Sequence, residues 1–119
     1  MSFDLAIFSN FEGVTGSEVK KVYSDLSIKW KSTKEFKRFS EKIFAKYPPL
    51  ENLSDEDIDL SPWASCDLCD GYMVLGFVSD KEKSDEGFNY VLEQANKEKL
   101  IILDPQGGDA FVGEENLKD

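Results

Sequence analysis

The chain has 119 residues, of which 40% are hydrophobic and 13% aromatic, and its formal net charge is −10. This length predicts a single domain spanning residues 1–119, and the apolar content suffices for a core, so the composition excludes wholesale disorder. The negative charge repels phosphate backbones and anionic membrane surfaces. It therefore disfavours direct binding to nucleic acid or to a membrane, and it favours a basic protein as the partner.

The N-terminal half predicts one strand followed by two helices. Alternating apolar side chains indicate a strand over Phe3–Ser9. A Thr15-x-x-Glu18 capping box starts the first helix, Ser32-x-x-Glu35 starts the second, and Pro48-Pro49 ends it. The stretch from Glu18 to Lys46 holds nine basic and four acidic residues, so we expect a basic helical side on an otherwise acidic molecule.

The C-terminal half predicts four strands around one further helix. The first two strands, Ala64–Leu68 and Tyr72–Val78, are joined by a tight turn at Asp70-Gly71. A helix follows and ends near Lys97, and after it come a buried strand and a short edge strand, Leu100–Leu103 and Ala110–Val112. We expect residues 113–119 to form a frayed acidic tail.

This order of elements predicts an α+β fold. Apolar helical stripes and apolar strands need each other for burial, so we expect two layers, with the helices packed on one face of a mainly antiparallel sheet. The order matches a ferredoxin-like, split β-α-β arrangement. Phe36, Phe39, Val91 and Leu92 are expected to point into the core between the helices and the sheet.

The most informative feature is an acidic block from Glu51 to Asp70, which contains seven carboxylates and neither lysine nor arginine. Aromatic and apolar residues, namely Ile58, Leu60 and Trp63, lie among the carboxylates, and a solvated linker has little use for them. Dense carboxylates steer a cation-rich protein, and an aromatic side chain can anchor it, whereas acidity that only confers solubility is an equally open alternative. The predicted partner-binding residues are Asp55, Glu56, Asp57, Asp59, Asp67 and Asp70, with Trp63 or Tyr72 as anchors. Trp63 is also a candidate for the core.

No catalytic motif competes with this interpretation. The chain has no histidine, which removes the usual general base, the Ser-His and Cys-His pairs and the commonest metal ligand. Carboxylate-only or lysine-based catalysis is the remaining alternative; it would need a defined pocket, and a deep one with paired carboxylates would favour it. We therefore expect a protein without enzymatic activity and without a cofactor.

The two candidate metal motifs are both incomplete. Cys66-Asp67-Leu68-Cys69 lacks the strand-to-helix context of a redox pair and the other two ligands of a zinc site, so we expect two ordinary reduced cysteines. The carboxylates between Asp55 and Asp59 lack the central glycine and terminal glutamate of a calcium loop. The sequence therefore predicts no bound metal.

The sequence also carries no segment typical of membrane targeting. The N-terminus has no cationic stretch followed by a long apolar run, and no window approaches the ~18 apolar residues that cross a bilayer. We therefore expect the protein to be cytoplasmic.

Three short motifs resemble a known group of proteins: Met1-Ser2-Phe3-Asp4-Leu5, Ser61-Pro62-Trp63 and Leu103-Asp104-Pro105-Gln106. With these motifs the chain resembles small acidic bacterial proteins, some of which are immunity partners of polymorphic or contact-dependent toxins. The resemblance implies a protein that binds a toxin made by the same strain and blocks it without catalysis, and it carries over no binding residues. We expect an immunity-type inhibitor that occludes a cationic toxin domain such as a nuclease. The alternative is a non-catalytic cytoplasmic adaptor with an unrelated partner.

Overall fold

The computed structural model describes residues 3–25, 29–58, 61–105, 108–113 and 115–117. The strands are β1 (Phe3–Phe8), β2 (Trp63–Cys69), β3 (Tyr72–Phe77), β4 (Ile101–Asp104), β5 (Asp109–Val112) and β6 (Glu115–Asn116). The helices are α1 (Gly16–Ser24), α2 (Lys34–Lys46), α3 (Asp55–Ile58) and α4 (Lys81–Lys97), and a 3₁₀ turn covers Leu50–Asn52.

The strands form one antiparallel sheet with the order β2-β3-β1-β4-β5-β6. β1 pairs with β3 along its whole length and with β4 from Ala6 to Phe8. Helices separate β1 from β2 and β3 from β4, so the order β2-β3-β1-β4 has the connectivity of the expected split β-α-β arrangement. The predicted α+β class with a mainly antiparallel sheet is confirmed.

The sheet has a hydrophobic core on each of its two faces. Leu5 and Ile7 of β1 project into a first core, whereas Ala6 and Phe8 project into a second, because successive side chains of a strand alternate between the faces. α2 and α4 contribute to the first core and α1 to the second. The expectation of helices on one face therefore holds for α2 and α4. α1 is the exception, because central strands that are apolar on both faces need cover on both.

The four side chains predicted to point into the core do so. Phe36, Phe39 and Val91 are at most 2% exposed, and the half-buried Leu92 packs against the same first core. Each fully buried side chain of this size contributes roughly 1.5–3 kcal/mol relative to an exposed one.

Capping threonines set the starts of α1 and α2. The hydroxyl of Thr15 accepts a hydrogen bond from the backbone nitrogen of Glu18 at 3.3 Å, as the capping box predicts. At α2 the cap is Thr33, which accepts from the backbone nitrogen of Phe36 at 3.2 Å, so the predicted start at Ser32 lies one residue too early. Such a cap contributes about 1 kcal/mol.

The C-terminal segment is more ordered than its composition predicts. β6 pairs with β5, and the backbone nitrogen of Leu117 donates to the carbonyl oxygen of Ala110 at 2.8 Å. Gly113 has φ +62°, which lets the chain turn back, and the Leu117 side chain then packs on the second core. The expected frayed tail over 113–119 is thus corrected for residues 115–117, whereas residues 114, 118 and 119 lie outside the described residues.

Candidate partner-binding surface

The acidic helix α3 presents three of the predicted carboxylates. The hydroxyl of Ser54 accepts a hydrogen bond from the backbone nitrogen of Asp57 at 3.3 Å and thereby starts the helix. Asp55, Glu56 and Asp57 are all exposed in its first turn, where negative charge is favoured by the helix dipole. Asp59, also predicted for this surface, lies outside the described residues.

The β2–β3 hairpin presents two more of the predicted carboxylates. Asp67 is exposed in the middle of β2, and Asp70 is exposed in the turn that follows. The turn closes through Gly71, whose φ of +81° is readily adopted only by glycine. β2 is the outermost strand at this end of the sheet, so both carboxylates lie at a sheet edge.

These carboxylates form an extended rim rather than one cluster. Asp57 lines a cavity of about 280 Å³ with Ser61 and Pro62, next to the first residue of β2. Asp70 lines another cavity of about 280 Å³ with Lys37, next to the last residue of β2. A strand of seven residues spans roughly 20 Å, so the two parts of the acidic block lie near opposite ends of β2 rather than at one point.

We call Asp55, Glu56, Asp57, Asp67 and Asp70 the acidic rim. None of its carboxylates takes part in an ion pair within the part of the chain that the structure describes. The rim carboxylates therefore have no direct ion pair there, while Lys46 lines the cavity of Asp57 and Lys37 lines the cavity of Asp70.

Trp63 and Tyr72 cannot act as the predicted anchors, because both are buried. Trp63 is 1% exposed, and its indole nitrogen donates to the carbonyl oxygen of Tyr47 at 3.0 Å. Tyr72 is 2% exposed, and its ring stacks on Phe8 at a centroid distance of 5.2 Å. The pKa of Tyr72 is raised to about 12, mainly because the side chain is buried and also because it forms a hydrogen bond with the Cys69 side chain. Both aromatics belong to the core, which for Trp63 is the alternative that the sequence left open.

Two aliphatic side chains on the elements that carry the rim are exposed. Leu68 on β2 is 51% exposed and Ile58 on α3 is 40% exposed, the largest exposures among the large hydrophobic side chains that the structure describes. Both lie among the rim carboxylates. The sequence pointed to Ile58 as an apolar residue within the acidic block, but it did not single out Leu68, whose exposure depends on β2 being an edge strand.

The two cysteines lie on opposite faces of the sheet. Cys66 packs against the first core and Cys69 against the second, because an odd spacing of three residues on a strand reverses the side-chain direction. Neither cysteine forms a disulfide bond within the part of the chain that the structure describes. No group of three or more metal-ligating side chains occurs among residues 3–25, 29–58, 61–105, 108–113 and 115–117.

Four surface cavities have volumes of about 280 to 340 Å³, and each is lined by at most one carboxylate. None of these four therefore offers paired carboxylates for acid–base catalysis. Three lysines, Lys21, Lys29 and Lys31, line one of them.

The predicted basic side is divided between the two faces of the sheet. Lys21, Lys29 and Lys31 line a cavity beside Trp30 on the face that α1 covers. On the other face, Arg38 of α2 pairs with the Glu98 carboxylate, with a distance of 2.7 Å between Nε and Oε2. This hydrogen bond lowers the pKa of Glu98 below its ordinary value.

No helix in the described part of the chain has the length and apolarity that crossing a membrane requires. Comparison of the chain with protein-family models, with curated protein sequences and with solved structures gives no match. The surface described above is therefore the basis for assigning a function.

Proposed function

We propose that this chain is a non-catalytic, immunity-type protein that binds and neutralises a basic toxin domain, such as a nuclease, by occluding its active surface. The observation that carries the proposal is the acidic rim along β2 and α3, whose five exposed carboxylates have no ion-pair partner among the described residues. Leu68 and Ile58 are exposed apolar side chains on the two elements that carry the rim.

Electrostatics favour a basic protein as the target. Nucleases bind phosphate backbones through clefts rich in lysine and arginine, and an acidic protein can fill such a cleft. Each exposed charge pair contributes only about 0.2–1 kcal/mol, so the rim acts mainly by steering the encounter and setting the orientation. Most of the binding free energy would then come from apolar side chains that become buried in the complex.

The exposed leucine and isoleucine distinguish this proposal from a surface that only keeps the protein soluble. Solubility is served by charged side chains alone, and few exposed leucines or isoleucines are expected beyond what function needs. Leu68 and Ile58 lie on the two elements that carry the rim, as expected for apolar contacts inside a polar border.

Capture of the partner from the native strain tests the proposal. We expect tagged wild-type protein to retain a basic polypeptide that arrests growth when expressed alone and ceases to do so when this chain is co-expressed. The rim variant Asp55→Asn, Glu56→Gln, Asp57→Asn, Asp67→Asn should protect less well.

The matched control for this variant removes the same charge elsewhere. Glu12→Gln, Asp85→Asn, Asp109→Asn and Glu115→Gln change four exposed carboxylates outside the rim and should protect like wild type. A captured partner that is not toxic would contradict the proposed function, and equal protection by both variants would contradict the rim as the binding surface.

A further inference from the structure

We propose that the outer edge of β2 binds an extended segment of the basic partner as an additional strand of the sheet, and that this segment alternates basic and apolar residues. The proposal rests on the proposed function, because it takes the occupant to belong to the basic partner. It adds how that partner is held and which sequence pattern it presents.

The outer edge of β2 pairs with no strand in the described part of the chain, and the 3₁₀ turn Leu50–Asn52 contacts β2 without adding a strand to it. On its other side β2 pairs with β3. Ala64, Ser65, Asp67 and Leu68 are all exposed. Every second residue of such an edge directs its backbone N–H and C=O groups away from the sheet, where an incoming strand can pair with them.

The two ends of β2 differ in how they are closed. At the start of β2, the backbone nitrogen of Trp63 donates to the hydroxyl of Ser61 at 3.1 Å. At the far end, Leu68 and Asp70 border a cavity with Lys37 and Phe36 of α2. We therefore place the incoming segment along the later residues of β2, towards the hairpin turn.

The side chains of β2 determine the pattern of the occupant. Asp67 lies opposite Val74, on the face that α1 covers, whereas Leu68 lies opposite Met73, on the face that α2 covers. An added strand places its side chains beside these two in turn. Basic residues would therefore face Asp67, and apolar residues would face Leu68, where Lys37 also disfavours a second cation.

Charge favours this occupant over a second copy of the chain. Pairing two β2 edges would bring the Asp67 and Asp70 side chains of both copies onto one short interface, and each copy carries a net charge of −10. Like charges across a strand pair are destabilising. Charged side chains at a sheet edge also prevent such self-pairing. An edge whose charges served only that purpose would have no need of the half-exposed Leu68.

The test uses a synthetic peptide in which lysine and valine alternate. The control peptide has the same composition, with all its lysines in one block and all its valines in another. We expect the alternating peptide to bind at least about tenfold more tightly, a difference of about 1.4 kcal/mol. It should also slow amide hydrogen exchange in residues 64–69 and leave residues 109–112 unchanged. Equal binding of the two peptides, or protection only outside β2, would overturn the proposal.

A pair of variants separates the edge from charge in general. Leu68→Lys and Ile58→Lys make the same charge change at the two exposed aliphatic residues, but only Leu68 lies on β2. Leu68→Lys should weaken the alternating peptide about tenfold, and Ile58→Lys less than about twofold. Equal effects, or a dimer of the free protein with protected β2 amides, would refute edge pairing.

The partner captured from the native strain shows which of the two proposals fails. If the rim variant loses that partner while the β2 amides stay unprotected in the wild-type complex, edge pairing is wrong and the proposed function stands. If the captured partner is not toxic, the proposed function fails, whether or not the β2 amides are protected.

Discussion

The indole nitrogen of Trp30 donates a hydrogen bond to the carbonyl oxygen of Ser9 at a distance of 3.0 Å. Ser9 is fully buried, its hydroxyl donates to the carbonyl oxygen of Lys31, and its backbone nitrogen donates to the carbonyl oxygen of Gly71 at 2.7 Å. Ser9, the residue that follows β1, therefore connects the segment before α2 to the β2–β3 turn. These hydrogen bonds hold the hairpin that carries Asp67 and Asp70 in place.

Replacing Trp30 by phenylalanine should destabilise the protein, because it leaves the buried carbonyl oxygen of Ser9 without this donor. We expect a loss of about 1–3 kcal/mol in the free energy of unfolding, measured by urea denaturation. Leu68→Ala, at an exposed position, should change it by less than about 0.5 kcal/mol. A Trp30→Phe variant as stable as wild type would show that this hydrogen bond is not needed.

Gly71→Ala should be strongly destabilising for two separable reasons. The backbone has φ +81°, and an added Cβ would lie 2.7 Å and 2.8 Å from the carbonyl oxygens of Trp30 and Lys31. Gly13 has a similar φ of +89° but nothing within 4 Å of an added Cβ, so Gly13→Ala is the control that carries only the backbone strain. We expect about 1–2 kcal/mol for Gly13→Ala and at least about 3 kcal/mol for Gly71→Ala. Equal losses would mean that the hairpin turn yields to make room.

The cysteines should remain two free thiols in the monomer, even under mild oxidation, because Cys66 and Cys69 project from opposite faces of β2. Thiol titration is expected to give two equivalents per chain, and elemental analysis is expected to find no stoichiometric zinc. A monomer lacking two hydrogens by mass spectrometry, or one zinc ion per chain, would contradict this prediction.

The pairing of Arg38 with Glu98 should contribute stability only above acidic pH. Because the pKa of Glu98 is lower in the folded protein than its ordinary value, its contribution is fully present above that ordinary value. The contribution is lost as the pH falls through the lowered pKa. Arg38→Gln should therefore cost stability at neutral pH, and the difference from wild type should disappear once Glu98 is protonated. A difference that persists unchanged in acid would assign the effect to packing instead.

Patterns that depend on neighbours in sequence predicted much of the fold. β1, β3 and β4 are apolar enough to need burial wherever they lie, and α2 shows its buried face through Phe36, Phe39 and Ile43. Ser32 and Thr33 are adjacent and both carry a hydroxyl that can cap a helix, so the sequence did not show that Thr33 is the cap. This cap places Phe36 as the third residue of α2 and so aligns the apolar stripe with the sheet.

Features that depend on tertiary placement were predicted less well. Trp63 and Tyr72 were expected as anchors, but they lie on opposite faces of two adjacent strands and each fills a different core. The exposure of Leu68 follows from the position of β2 at the sheet edge, which the local sequence does not encode. Likewise, β6 is too short to show a periodic pattern and becomes a strand by pairing with β5.

The rate at which the captured partner associates with this chain shows whether the acidic rim steers binding. The rate is to be measured at low and high salt for wild type, for the rim variant Asp55→Asn, Glu56→Gln, Asp57→Asn, Asp67→Asn, and for the control variant Glu12→Gln, Asp85→Asn, Asp109→Asn, Glu115→Gln. The rim variant should associate about tenfold more slowly than wild type at low salt, and the control should stay close to wild type. At high salt the three rates should converge, because screening weakens the attraction of the wild type. A rim variant that matches wild type at both salt concentrations would show that these carboxylates only solvate the surface and that the partner binds elsewhere.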